Sequence, residues 1–107
     1  MTRPDVLGYL RRDIAGIHQQ ATEIRIRSAA GDFRHSYTKT MAVSDPLTAE
    51  NDLIAQVANT GVPAVIVPSL EHFVDGRPPE ALLRLADVLV MEPKTTFTRL
   101  EPEQAAS

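Results

Sequence analysis

The chain has 107 residues, which is enough for one domain and too few for two, and without cysteine it can form neither a disulfide framework nor a thiolate metal site. Its formal net charge of −3 argues against a general nucleic-acid binder. The amino-terminal apolar run is too short for a signal peptide or a membrane span, so we expect a cytoplasmic protein without membrane contact.

The amino-terminal part alternates between strand and helix patterns. Residues 6–10 form a short apolar run that predicts a buried strand. A helix is predicted from residue 14 to residue 30, with Asp13 as its N-cap and Gly31 at its end. Residues 38–43 predict a second strand. The inward face of the helix is expected at positions of helical spacing, namely Ile17, Ala21, Ile24 and Ser28.

The same alternation continues to residue 91. Asp45 and Pro46 are typical of a helix start, and Gly61 indicates where that helix ends. Residues 64–67 are apolar throughout, as expected for a strand that is covered on both faces. Two prolines at 78–79 open a short helix, and residues 87–91 predict a fourth strand. The domain is therefore expected over residues 1–100, followed by a disordered acidic tail over 101–107.

This order of elements predicts an α/β fold of three layers, in which a mostly parallel, four-stranded sheet is flanked by helices. In open parallel sheets, ligands bind beyond the carboxyl ends of the strands. The loops expected there are residues 10–13, 44–45, 68–72 and 92–96. We expect any chemistry to lie among those residues.

Basic residues are concentrated in the first part of the chain. Residues 1–40 carry seven basic and four acidic side chains, whereas residues 41–107 carry four basic and ten acidic ones. Arg11 and Arg12 follow the first predicted strand beside a helix N-terminus, where two guanidinium groups could hold a phosphate or carboxylate. Asp13 would cancel part of that charge. The alternative is a structural ion pair with a helix cap.

Two segments resemble the catalytic domain of the serine recombinases, the resolvase and invertase family. Residues 8–13, Gly-Tyr-Leu-Arg-Arg-Asp, are similar to the family motif Gly-Tyr-x-Arg-Val-Ser, and glutamines follow at 19 and 20 as in the family's next helix. Residues 65–73, Val-Ile-Val-Pro-Ser-Leu-Glu-His-Phe, resemble the family's apolar strand that ends in Leu-Asp-Arg-Leu. The resemblance implies a resolvase-like fold in a short, degenerate, stand-alone member.

The departures from the family pattern imply a loss of catalysis. The family's nucleophile is the serine that closes the first motif, and Asp13 stands there. Arg11 matches the first active-site arginine, Glu71 and His72 replace the Asp-Arg pair of the second motif, and Arg77 is displaced. Because phosphoryl transfer needs several positive groups around the developing charge, we expect no strand transfer. The resemblance also implies that the family's long dimerising helix and its DNA-binding helix-turn-helix are missing.

Other kinds of site have weaker support in the sequence. Ser69, His72 and Asp45 contain the residue types of a hydrolase triad, but Ser69 lacks the Gly-x-Ser-x-Gly setting. Glu71, His72 and Asp75 could contact a metal ion, although neighbouring loop residues rarely converge on one ion. The chain has no glycine-rich phosphate or dinucleotide loop. We expect neither a metal nor a cofactor.

Our preferred hypothesis is a catalytically inactive, recombinase-like domain that acts through protein–protein interaction, either with itself or with a regulatory partner. One alternative is a DNA-acting accessory of a recombination system, and another is a binder of small anionic ligands at the strand ends. DNA binding is expected to be weak or absent. The candidate anion- or partner-binding residues are Arg11, Arg12, Asp13, Ser69, Glu71 and His72.

The last apolar residues of the domain suggest an interface. Residues 95–100 contain threonine and phenylalanine, which favour β-structure, and place Phe97 and Leu100 beyond the fourth predicted strand. These two side chains either fold back on the domain or contact another subunit. We expect a homodimer interface there, with packing inside one chain as the alternative.

Overall fold

A five-stranded sheet forms the centre of the computed structural model, which describes residues 2–100. Its strands are β1 (Asp5–Arg11), β2 (Ser36–Val43), β3 (Ala64–Val67), β4 (Asp87–Val90) and β5 (Thr95–Phe97). They lie in the order β2-β1-β3-β4-β5, and the first four in this order are parallel to one another. The predicted α/β fold with a mostly parallel sheet is confirmed.

The predicted number of four strands is wrong. Residues 95–97 form β5, which pairs antiparallel with β4 so that Phe97 lies opposite Val88 and Thr95 opposite Val90. Four residues separate the two strands, which is a typical length for a hairpin loop. The threonines and the phenylalanine of residues 95–97 favour β-structure, so this segment readily adds to the sheet. The predicted tail, residues 101–107, lies outside the described residues.

Helices cover both faces of the sheet, as a three-layer arrangement requires. Helix α2 (Gln19–Asp32) packs on one face, where Ile26 joins a buried cluster with side chains of β1, β3 and β4. Helices α3 (Ala49–Thr60) and α4 (Glu80–Leu83) pack on the other face around a second cluster. All four residues of β3 are fully buried, which confirms the prediction of a doubly covered strand.

The inward face predicted for the helix over residues 14–30, which corresponds to α2, is wrong. The buried residues of α2 are Thr22, Ile26 and Ala30, whereas Ile17 is 95% exposed and Ile24 is 69% exposed. Gly8 in β1 leaves room for the buried face of the helix. A Cβ at Gly8 would lie 2.8 Å from Cγ2 of Ile26 and 2.6 Å from Oγ1 of Thr40. The close approach of Ile26 to β1 therefore depends on the absence of a side chain at position 8.

The boundaries of the helices also differ from the prediction. The segment after β1 forms a short helix α1 (Arg12–Ala15) and a 3-10 turn (Gly16–His18) before α2 begins. Helix α2 continues through Gly31 to Asp32, and the left-handed residue that follows is Arg34. Asp13 lies inside α1 and is not its cap.

Helix α3 begins three residues after Pro46. Asp45 accepts a hydrogen bond from the Leu47 N–H, and its carbonyl accepts from Thr48 and Ala49, which forms a turn before the helix. The predicted end of α3 is confirmed, because Gly61 takes the left-handed conformation and its N–H bonds to the Val57 carbonyl.

Candidate functional site

The candidate site lies where β1 and β3 end next to each other. In the strand order of this sheet, the chain passes from β1 outward to β2 and then back across to β3, so β1 and β3 flank the switch point at which open α/β sheets bind ligands. Arg11 is the last residue of β1, and the loop after β3 contains a 3-10 turn, Leu70–His72.

Arg11 and Asp13 form a bidentate ion pair. Nε of Arg11 donates to Oδ1 of Asp13 at 3.1 Å, and Nη2 donates to Oδ2 at 2.6 Å. The Arg11 side chain is only 11% exposed, and that of Asp13 is 40% exposed. The hydrogen bonds from Arg11 hold the pKa of the Asp13 carboxyl below its usual value, and those same bonds raise the pKa of Arg11. The guanidinium charge is therefore already neutralised.

His72 is joined to the backbone of the same arginine. The main-chain N–H of Arg11 donates to Nδ1 of His72 at 2.9 Å, and the imidazole is almost completely buried. Since Nδ1 accepts this bond, the ring is neutral and carries its proton on Nε2. Burial is the main cause that lowers the pKa of His72, and the charge of Arg11 lowers it further. The imidazole therefore contributes no positive charge near neutral pH.

Tyr9 lies two residues before Arg11 in β1 and is not among the predicted site residues. Its ring stacks on Phe73 with 5.7 Å between the ring centroids, and its hydroxyl has no hydrogen-bond partner among the described residues. Burial, followed by the charge of Glu50, raises the pKa of the Tyr9 hydroxyl. Sequence reasoning placed Tyr9 in an apolar strand. The available signal was the period of two, which sets Tyr9 and Arg11 on the same face of β1.

Glu50 ties helix α3 to the loop after β3. Its Oε2 accepts a hydrogen bond of 2.6 Å from the main-chain N–H of Val74. Glu50 lies in the first turn of α3, where a carboxylate is favoured by the helix dipole. It was not predicted as a site residue, since the only signal was an acidic residue soon after the helix start.

The structure brings together three of the six predicted site residues, namely Arg11, Asp13 and His72. Ser69 is half-buried, and its carbonyl accepts the His72 N–H at 3.3 Å, so its contribution is through the main chain. Arg12 and Glu71 are exposed to solvent. Among residues 2–100, neither of these two side chains forms an ion pair.

The hydrolase triad is not formed. A triad histidine donates through Nδ1 to a carboxylate, but Nδ1 of His72 accepts the Arg11 N–H, and Asp45 is bound to the N–H of Leu47.

Arg77 lies apart from the cluster around Arg11. It lines a cavity of about 500 Å³ together with Glu50 and Asp75, and neither Arg11 nor His72 lines that cavity. Within residues 2–100, no three acidic or histidine side chains are grouped as a metal site would need.

Phe97 packs against the core of its own chain, next to the cluster between the sheet and α3. The N–H of Leu100 donates to the carbonyl of Leu83, so the segment after β5 is held against α4. These contacts are those of the intramolecular alternative. A subunit interface at Phe97 and Leu100 remains a prediction.

Comparison of the chain with protein-family models, with curated proteins and with solved structures gives no match. No helix within residues 2–100 has the length and apolar character needed to cross a membrane.

Proposed function

We propose that this chain is a protein-binding domain related to the serine recombinases and without strand-transfer activity. The observation that carries the proposal is the bidentate ion pair between Arg11 and Asp13. By the resemblance, these two residues stand at the positions of an active-site arginine and of the nucleophile. The arginine that the reaction would need is thus bound to the residue that replaces the nucleophile.

This ion pair weighs against both alternative functions, DNA binding and small-anion binding. A phosphate that displaced Asp13 from Arg11 would leave an unpaired carboxylate beside it, and the two negative groups would repel each other. His72 offers no compensating charge because its ring is neutral and accepts the Arg11 N–H. Arg12 remains as an exposed cation at this edge, and phosphoryl transfer needs several such groups to converge.

The surroundings of the ion pair favour a protein partner. Four of the large apolar side chains that the chain exposes lie in the segments that follow three adjacent strands. They are Ile14 and Ile17 after β1, Leu47 after β2 and Val74 after β3. A protein partner that binds at this edge of the sheet would cover these side chains, and this supports the proposal of a protein-binding role.

Incubation of the protein with supercoiled plasmid tests the loss of catalysis. We expect no relaxed plasmid and no DNA covalently linked to protein, for the wild type and equally for Asp13→Ser. The serine would restore a nucleophile, but the transition state would still lack the other arginines. A covalent adduct with the wild type, or strand cleavage by Asp13→Ser, would contradict the proposal.

A further inference from the structure

The outer face of α2 and the turn before it carry a stripe of apolar and small side chains that no described part of the chain covers. It consists of Ile17, Ala21, Ile24 and Ser28, which we call the α2 seam. Ile17 is 95% exposed, Ile24 is 69% exposed, and Ala21 and Ser28 are also exposed. The opposite face of the helix, through Ile26, is the one that packs on the sheet.

The spacing of the seam matches that of a helix–helix contact. Its residues follow each other in the sequence at intervals of four, three and four, and the three that lie in α2, namely Ala21, Ile24 and Ser28, have the spacing of the two core positions in a heptad repeat. Ile17 lies in the 3-10 turn that leads directly into α2, and the other three residues occupy successive turns of the helix. The small side chains of Ala21 and Ser28 alternate with the two isoleucines and leave holes for the side chains of a partner helix.

The side chains that flank the seam between residues 18 and 27 are basic or neutral. Arg25 and Arg27 stand at the flanking heptad positions beside Ile24, and His18 and Gln20 stand at the equivalent positions one heptad earlier. Nη2 of Arg25 lies 3.7 Å from Oε2 of the exposed Glu92. The guanidinium carbon of Arg27 lies 5.3 Å from the ring centroid of Tyr37. Such exposed contacts are weak, so both guanidinium groups can be shared with a partner.

Acidic side chains on α2 lie away from the middle of the seam. Glu23 is further round the helix, where it accepts a hydrogen bond from Gln19. Asp32 occupies a flanking position one turn beyond Ser28, at the last residue of the helix. The charged side chains immediately beside Ile24 in the seam are therefore both arginines.

We propose that the α2 seam binds an amphipathic helix of another protein, in which the apolar positions are flanked by Asp and Glu. This inference rests on the proposed protein-binding function and adds a second surface, which shares only Ile17 with the apolar side chains at the strand-end edge, together with the chemistry of its partner. A second copy of the chain is disfavoured, because two α2 helices would bring the same arginines together. A lipid surface is disfavoured because the seam is narrow and contains no aromatic side chain, whereas membrane-surface helices have a broad apolar face.

The test uses synthetic helical peptides of three heptads with leucine and isoleucine at the core positions. One peptide carries Glu at the flanking positions, a second carries Lys there, and both are labelled for fluorescence anisotropy with the full chain. We expect the Glu peptide to bind at least about tenfold more tightly than the Lys peptide. Increasing salt concentration should weaken this preference.

Matched variants locate the binding surface. Ile17→Asp with Ile24→Asp should weaken binding of the Glu peptide by at least about tenfold, because it places charges in an apolar contact. Asn51→Asp with Ala55→Asp adds the same number of carboxylates to exposed positions of α3 and should bind like the wild type. Arg25→Glu with Arg27→Glu should reverse the preference, so that the Lys peptide binds more tightly. Circular dichroism checks that all variants stay folded.

The possible outcomes separate this inference from the proposed function. Equal binding of both peptides, no binding of either, or unchanged binding by the isoleucine variant would overturn the assignment of the α2 seam. The assignment would also be overturned if the wild type self-associates, or binds vesicles of anionic phospholipid, and the isoleucine variant does not. Plasmid cleavage would instead overturn the proposed function, whatever the peptides do.

Discussion

The main-chain N–H of Arg11 donates a hydrogen bond to Nδ1 of His72, 61 residues later in the chain, over a distance of 2.9 Å. The bond links the end of β1 to the loop after β3, and both residues are buried. It fixes the protonation state of the imidazole and ties the loop after β3 to the residue that is paired with Asp13. The stability of this edge should therefore depend on the charge of His72.

Stability should fall when His72 is protonated. Its pKa is lowered in the folded chain, so the unfolded chain binds the proton first as the pH decreases. The stabilising contribution is present above the unfolded pKa of about 6.5 and is lost as the pH falls below it. Denaturation of wild type and His72→Asn between roughly pH 5 and pH 8 should show a steeper decrease for the wild type. His18→Asn, which changes an exposed histidine, should follow the wild type. Parallel curves for wild type and His72→Asn would contradict this prediction.

Removing the Tyr9 hydroxyl should not destabilise the fold. A buried hydroxyl without a partner costs about 1–3 kcal/mol, so Tyr9→Phe should keep or raise the free energy of unfolding. Tyr37→Phe is the control, because the Tyr37 hydroxyl lies 2.8 Å from Oγ1 of Thr40, and losing that bond should cost about 0.5–1.5 kcal/mol. Chemical denaturation measures both variants. A loss of more than about 1 kcal/mol in Tyr9→Phe would show that the hydroxyl has a stabilising partner.

Buried and exposed isoleucines should respond very differently to truncation. Ile66 in β3 and Ile26 in α2 are fully buried, so changing either to Ala should lower the free energy of unfolding by about 2–5 kcal/mol. Ile24→Ala, two residues from Ile26, should change it by less than about 0.5 kcal/mol. The reverse order for Ile24 and Ile26 would mean that α2 packs on the sheet through the opposite face.

This pair of isoleucines shows where the sequence is ambiguous. Both stripes on α2 have helical spacing, and the exposed stripe contains two isoleucines against one on the buried stripe. The close approach of Ile26 to Gly8, which is distant in the sequence, favours the stripe that contains Ile26 and depends on the fold. In contrast, β3 could be predicted from sequence, because four consecutive apolar residues leave no polar face.

Only part of the candidate site could be predicted from the sequence. The carboxyl ends of parallel strands meet at one edge, which is sufficient to bring Arg11 and His72 together. The sequence left open whether Arg11 and Arg12 hold an anion or form a structural ion pair with a helix cap, and the side-chain geometry has the ion pair between Arg11 and Asp13 without the cap. The unpartnered hydroxyl of Tyr9 depends on packing around a buried ring, and no local pattern reports it.

The segment around Phe97 should stabilise its own chain. Because Phe97 packs on the core and β5 pairs with β4, Phe97→Asp with Leu100→Asp should destabilise or unfold the domain. Chemical denaturation measures the loss of stability, and light scattering measures the oligomeric state of the wild type and of the double variant. A wild-type dimer that the double variant converts into a folded monomer would instead establish the subunit interface at Phe97 and Leu100.

The affinity of a DNA duplex for the wild type and for Asp13→Asn, measured by anisotropy over a range of salt concentrations, tests the central claim most directly. The claim is that Asp13 neutralises Arg11. We expect little binding by the wild type, and tighter binding by Asp13→Asn with a salt slope steeper by about one, the signature of one added phosphate contact. Asp52→Asn, which removes an exposed carboxylate in α3, should resemble the wild type. Strong, salt-sensitive binding by the wild type, or equal binding by Asp13→Asn and the wild type, would contradict the account.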